Sequence, residues 1–183
     1  MSRPAVFFDR DGVLNDPREH YYVTSWKDFH FLEGACELVQ LVKARGWLAV
    51  LVTSQKAVGK GLLSLEGLAE IHARLQERLE SGFGVAFDGI YAYTGADDEG
   101  RGAKPKPDLV WDAAEALAID LDRSWVLGDS DRDIAMGQRA GLAKTLRVLS
   151  AGREAGVEAD ETFSSVAEAL AWFRVHLPEV TPI

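Results

Sequence analysis

The apolar run Ala5-Val6-Phe7-Phe8 goes straight into Asp9-Arg10-Asp11-Gly12. Aliphatic and aromatic residues without polar alternation read as a short strand buried on both faces. A strand that ends abruptly in charge puts that charge at its carboxyl end, where open α/β sheets bind their ligands. Asp9 and Asp11, at i and i+2, lie on one side of the chain if the extended geometry persists. Two carboxylates held that close repel each other unless a cation or a shared proton relieves them. The pair therefore points to a nucleophile and an acid/base partner around a hard metal ion.

The same arrangement recurs along the chain. The buried run 48–52 ends in Thr53-Ser54-Gln55, and Trp125-Val126-Leu127 runs into Gly128-Asp129-Ser130-Asp131-Arg132-Asp133. Lys104-Pro105-Lys106-Pro107 stands just before a helical pattern over 109–117, with Pro107 where a missing N–H costs little. Ala35, Leu38, Val39, Leu41 and Val42 recur at helical spacing, and Gly46 follows as a stop. Ser64 is placed to cap a helix through about Leu79, with Leu68, Ile71 and Leu75 on the same face. Residues 87–93 read as a third strand, 132–140 as a helix and 143–149 as a fifth strand. Ser164 or Ser165 caps a last helix through Phe173. Residues 13–33 read as a loop with scattered aromatics, among them Tyr21, Tyr22 and Trp26. Strands alternating with helices predict an α/β, Rossmann-like, doubly wound parallel sheet, one domain over 1–183.

Bulk properties narrow the function classes. The 183 residues carry a formal charge of −9, which argues against a nucleic-acid surface and its basic stripe. A local positive pocket is still available from Lys56, Lys60, Arg101, Lys104 and Lys106. The single cysteine, Cys36, excludes an internal disulfide and a cysteine-based structural zinc. It lies near a helical apolar face and reads as core. The four histidines show no metal-ligand spacing. No apolar run reaches the length of a membrane span and no signal peptide precedes the first strand, so a cytoplasmic enzyme is expected.

The order Asp-x-Asp, Thr, Lys, Gly-Asp-x-x-x-Asp resembles the motif set of the haloacid dehalogenase (HAD) superfamily of phosphotransferases, over roughly residues 5–150. Singly these residues are ordinary turns and strand ends; together, at the same ends of predicted strands, they carry the reading. The resemblance implies the same doubly wound fold, here with short insertions and no large cap. It implies a phosphatase in which Asp9 is the nucleophile, forming an aspartyl-phosphate, and Asp11 the general acid and base. Thr53 and the Ser54 backbone N–H would hold a phosphoryl oxygen, and Lys104 would neutralise charge. Mg²⁺ would take Asp9, the backbone carbonyl of Asp11, and Asp129, with Asp133 orienting Asp129 or a bound water from behind.

Within the superfamily, Phe8-Asp9-Arg10-Asp11-Gly12-Val13-Leu14-Asn15, Tyr21-Tyr22-Val23, Phe31-Leu32-Glu33-Gly34-Ala35 and Asp88-Gly89-Ile90-Tyr91 resemble the small capless group of heptose bisphosphate and histidinol-phosphate phosphatases. That resemblance implies a small phosphorylated metabolite as substrate. The heptose bisphosphate is the first expectation, with histidinol phosphate or another phosphoalcohol as the alternative. Neither nucleic acid nor membrane is expected as a partner, and the chain would be a monomer or small homo-oligomer. Three departures stand out. Residues 94–103 contain no Cys or His where relatives carry a zinc loop, so no structural zinc is expected. Ala103 replaces the usual arginine, for which Arg101 is a displaced candidate. Thr53-Ser54-Gln55-Lys56-Ala57 replaces Thr-Asn-Gln-Ser-Gly, placing Ser54, Gln55 and Lys56 among candidate substrate-binding residues. The altered loop also motivates a non-enzyme alternative, a phosphometabolite-binding module without turnover. A phosphoacceptor receiver domain fits the Lys-then-Asp order poorly.

Overall fold

The computed structural model describes residues 2–17, 22–150 and 155–180. In chain order these form β1 (Ala5–Phe8), α1 (Ala35–Ala44), β2 (Leu48–Ser54), α2 (Lys56–Gly59), α3 (Leu65–Phe83), β3 (Gly89–Tyr93), α4 (Asp108–Leu117), β4 (Trp125–Gly128), α5 (Asp131–Ala140), β5 (Lys144–Val148), β6 (Glu161–Phe163) and α6 (Val166–His176). The strands make one parallel sheet in the order β3-β2-β1-β4-β5-β6. The chain winds outward from β1 to β3, then returns to the other side of β1 and winds outward again. This is the doubly wound arrangement anticipated from the alternating pattern.

β1 has no exposed face. Val6 and Phe8 pack into one layer with α1, α3 and α6, while Ala5 and Phe7 pack into the other with α4 and α5. A fully buried phenylalanine contributes about 1.5–3 kcal/mol relative to exposure, which explains why this strand is apolar at every position. Trp47, Trp125, Trp172 and Phe173 extend the first layer as contiguous aromatic contacts of 5.1–5.8 Å between ring centroids.

Helix ends follow their local chemistry. Ser64 accepts a hydrogen bond from the Gly67 N–H at 2.9 Å, and Leu68, Ile71, Leu75 and Leu79 form the buried stripe of α3. That helix continues four residues past the expected end, to Phe83, where Gly84 adopts φ 68°. At α6 the cap is Ser165, whose hydroxyl accepts from the Glu168 N–H.

Three local differences have physical causes. β3 starts at Gly89 rather than 87, because the Gln76 side-chain amide satisfies both the N–H and the carbonyl of Phe87. Asp88 is engaged as well, accepting from the Ala49 N–H and from Lys43. β6 has no counterpart in the sequence reading: it is three residues at the sheet edge and its first two are exposed, so no apolar run marks it. A short 3-10 turn, Trp26–Asp28, interrupts the long loop after β1. Trp26 stacks on Phe29 there, 5.0 Å between rings. Tyr21 and His20 lie outside the described residues. Among the described residues, no helix is long and apolar enough to cross a membrane.

Candidate active site

The sheet reverses winding direction between β1 and β4, and the loops leaving their carboxyl ends diverge there. Such a switch point is where open α/β sheets form a crevice. The Asp9 N–H donates to Leu127 O at 3.0 Å, carrying the β1–β4 ladder one step past β1. Asp9 is thereby fixed next to Gly128-Asp129. A cavity of about 500 Å³ opens at this point. Its wall includes Asp9, Asp11, Thr53, Lys104, Asp129 and Asp133, with Ser54 at the end of β2, Gln55 and Lys56 just after it, and Asp16, Pro17 and Tyr22 from the loop after β1.

Lys104 ties the acidic residues together. Its ammonium donates to Asp9 Oδ1 at 2.7 Å and to Asp133 Oδ1 at 2.6 Å, in a position only 4 % exposed. Burial would push the lysine toward neutrality, but the Asp133 and Asp9 carboxylates hold it well above its ordinary range. Asp133 is buried too, yet the Lys104 ammonium and the Ser130 donors keep its carboxyl below the usual range. Those donors are the Ser130 N–H at 3.0 Å and its hydroxyl at 2.5 Å, both on Asp133 Oδ2. Asp9 behaves differently. Burial pushes its carboxyl up to about 7; Lys104 opposes, while the Asp133 and Asp129 charges push the same way as burial.

Asp11 faces a separate set of donors. Arg10, fully buried, donates from Nε to Oδ1 and from Nη2 to Oδ2, and Asn15 and Gln55 donate as well. Burial alone would raise this carboxyl, but the Arg10 guanidinium and the other donors hold it below the ordinary range. Gln55 also donates to Thr53 Oγ1 at 2.8 Å and accepts from Arg10 at 2.7 Å. Its amide is a link between Arg10, Asp11 and Thr53 at the cavity wall.

Asp9, Asp129 and Asp133 each present a carboxylate oxygen, and these lie within 4.8 Å of one another. An all-oxygen donor set of this kind suits a hard divalent cation such as Mg²⁺. Asp133 already spends one oxygen on Lys104 and the other on Ser130, which leaves Asp9 and Asp129 as the carboxylates suited to direct ligation. The loop after β1 is shaped around Asp129: Gly12 sits at φ +98°, and a Cβ there would fall 2.1 Å from Asp129 Oδ2. The same oxygen accepts from Ser150 Oγ at 2.7 Å.

Arg101 lies outside this constellation. Its guanidinium is exposed and paired with Asp112 and Asp108 on α4, and it does not line the cavity. The segment it belongs to, 94–103, is pinned by hydrogen bonds: Tyr93 to Asp97, Asp97 to the Glu99 N–H, and Lys106 to the carbonyls of Glu99 and Gly100. Ala103 is buried. Cys36 is buried on α1, and burial pushes its thiol up to about 11.

Arg10, Asn15, Arg132 and Ser150 join the site without having been singled out as functional in the sequence. Ser150 follows β5 and obeys the strand-end rule that marked the others. Arg10 stands at the same distance past β1, but its role, like that of Asn15, comes from the folded loop that turns it onto Asp11.

A family model described as HAD-hydrolase-like matches residues 102–171. The D-glycero-beta-D-manno-heptose-1,7-bisphosphate 7-phosphatase of Helicobacter pylori (strain J99) is 36 % identical over 143 residues, 78 % of this chain and 81 % of that protein. Its counterpart in Haemophilus ducreyi is 32 % identical and covers 93 % of this chain and 96 % of its own length. Among solved structures, the D,D-heptose 1,7-bisphosphate phosphatase of B. bronchiseptica, complexed with magnesium and phosphate, superposes with a TM-score of 0.83 at 26 % identity. It covers 93 % of this chain and 98 % of its own. With the likeness extending over nearly the whole chain in both sequence and fold, this protein belongs to the HAD-like hydrolases, alongside the heptose bisphosphate phosphatases, and is a phosphomonoester hydrolase.

Proposed function

We propose that the chain is a Mg²⁺-dependent phosphatase of small phosphorylated sugars, with D-glycero-D-manno-heptose 1,7-bisphosphate as substrate and its 7-phosphate as the group removed. One observation carries the reading: a buried lysine joins Asp9 to Asp133 beside Asp129, at the switch point of the sheet.

Asp9 and Asp129, with the Asp11 backbone carbonyl, would hold the ion. When bound, Mg²⁺ supplies positive charge against the phosphoryl oxygens. An Asp9 carboxylate oxygen attacks phosphorus, forming the aspartyl-phosphate as the bond from phosphorus to the leaving oxygen breaks. Lys104, fixed on Asp9 Oδ1, orients the nucleophile and adds preorganised charge. The Thr53 hydroxyl already accepts from Gln55, so its own hydrogen is available to a phosphoryl oxygen, next to the Ser54 N–H.

Asp11 delivers a proton to the leaving oxygen and then takes one from the water that hydrolyses the intermediate, releasing phosphate and restoring Asp9. General acid–base help of this kind contributes about 10²–10⁴-fold. In the structure Asp11 is held as a carboxylate by Arg10, the form suited to activating water. Its acid role requires the proton to arrive with the substrate or the carboxyl to leave the Arg10 clamp.

The test is phosphate release with Mg²⁺ from heptose 1,7-bisphosphate, histidinol phosphate and common sugar phosphates, with Asp9→Asn alongside. A preferred sugar phosphate, with activity lost in the variant, supports the reading. Preference for histidinol phosphate moves the substrate to the phosphoalcohols, and no release from folded, Mg²⁺-binding protein favours a binding module.

A further inference from the structure

Lys56 and Arg132 reach the cavity from different elements, the first residue of α2 and the first turn of α5, and meet on one carboxylate. Asp98 Oδ1 lies 2.6 Å from Lys56 Nζ and 2.8 Å from Arg132 Nη1. Both cations line the cavity that holds Asp9 and Asp129. Their side chains are 18 % and 38 % exposed, whereas Asp98, on the 94–103 segment, is 54 % exposed. Two cations converging on a single oxygen repel each other and require an anion between them. Here a surface loop supplies it. A pair whose carboxylate is this exposed contributes little to stability, so the carboxylate is replaceable by a stronger anion at the same place.

We propose that Lys56 and Arg132 form a second anion subsite on the cavity wall, taking a phosphate or carboxylate at the end of the substrate remote from the transferred phosphoryl group, and that Asp98 is its built-in occupant, displaced when such a substrate binds. This rests on the phosphatase reading above. It adds a selection rule to it. A substrate with one phosphoryl group leaves Asp98 on the two cations and gains nothing from them. A substrate with a second phosphate competes with a single carboxylate and brings more charge and more acceptor oxygens. Asp98 therefore sets the threshold that the remote group must exceed. The subsite also supplies, from two other elements, the cationic partner that neither Ala103 nor the outward-facing Arg101 offers.

The experiment compares heptose 1,7-bisphosphate with heptose 7-phosphate, which share the scissile ester, on the wild type, Asp98→Asn, and the double variant Lys56→Met/Arg132→Met. Turnover is measured for each, and so is binding of both compounds on an Asp9→Asn background. Asp98→Asn should lower KM for the bisphosphate about three- to tenfold and leave the monophosphate within about twofold. The double variant should lower the bisphosphate-to-monophosphate ratio of kcat/KM about tenfold or more. A bisphosphate-to-monophosphate ratio that is the same in all three proteins overturns the subsite. If neither compound is hydrolysed, the phosphatase reading falls. The subsite still stands if bisphosphate binding tightens in Asp98→Asn and weakens in the double variant, and it falls if binding is indifferent to both changes. Unaltered melting temperatures exclude a merely structural effect.

Discussion

Arg10 grips its neighbour Asp11 with two nitrogens, Nε to Oδ1 at 3.2 Å and Nη2 to Oδ2 at 2.9 Å, from a side chain with no solvent exposure. A buried guanidinium needs such a partner, and it has further ones in Gln55 Oε1 and the face of Phe29. The clamp keeps the acid/base candidate ionised and aimed.

Arg10→Met removes the donors from a partly buried carboxylate, Asp11, and a buried amide, Gln55. The expected loss of stability is about 3–5 kcal/mol, visible as a lower urea midpoint. With the guanidinium gone, the Asp11 carboxyl rises, so the acidic limb of the rate–pH profile should move to higher pH. An unmoved limb would limit Arg10 to a stabilising role.

Lys104→Met should lower kcat by about 10²–10³-fold, the usual effect of deleting one preorganised electrostatic group. It also leaves Asp9 and Asp133 facing each other without their shared cation. Mg²⁺ should therefore raise the melting temperature of the variant more than that of the wild type, read by thermal denaturation with and without the ion.

Gly12→Ala tests the loop built around Asp129. Its backbone sits at φ +98°, and the added methyl would fall 2.1 Å from Asp129 Oδ2. We expect about 1–3 kcal/mol of strain together with weakened Mg²⁺ binding by titration calorimetry. Gly141→Ala is the control, since its φ is +79° but nothing lies within 4 Å of the added atom. It should cost stability without touching metal affinity.

His72 gives a pH prediction. Burial, with the nearby Arg10 charge, pushes its imidazole down to about 4. Above pH ~6.5 the side chain is neutral folded and unfolded, so it contributes no pH dependence. Between pH ~6.5 and 4 the unfolded chain takes up the proton first, and stability falls as pH falls, by up to roughly 3 kcal/mol across that window. His72→Gln should flatten this part of the stability–pH curve from urea titrations. An unchanged slope would assign it to other groups.

Much of the architecture was legible because the decisive signals are local. β1, β2 and β4 are buried on both faces and announce themselves as apolar runs, and each hands a polar residue to the cavity at its end. The edge strand β6 was not legible, since its exposed residues have no packing pattern to betray them. The same limit applied to the site. Asp9, Thr53 and Asp129 follow from position at strand ends, and Lys104 from its place just before α4. The meeting of Lys56, Asp98 and Arg132 depends on how a surface segment folds back over the sheet. The resemblance made Arg101 a candidate for the cavity, as a stand-in for the arginine that Ala103 replaces; the acidic residues of α4 draw it away.

The central position of β1 has a consequence for how the protein is made. Its flanking strands β2 and β4 both come later in the chain, and Lys104 lies 95 residues beyond the Asp9 it contacts. During synthesis from the N-terminus, the most apolar strand emerges first and keeps an open edge until β4 has left the ribosome, a period of exposure to mispairing and aggregation. A chain cut short before Trp125 would hold Asp9 but neither the strand that closes that edge nor Asp129. Such fragments should be inert and sticky, and activity should appear in a single late step as the sheet closes.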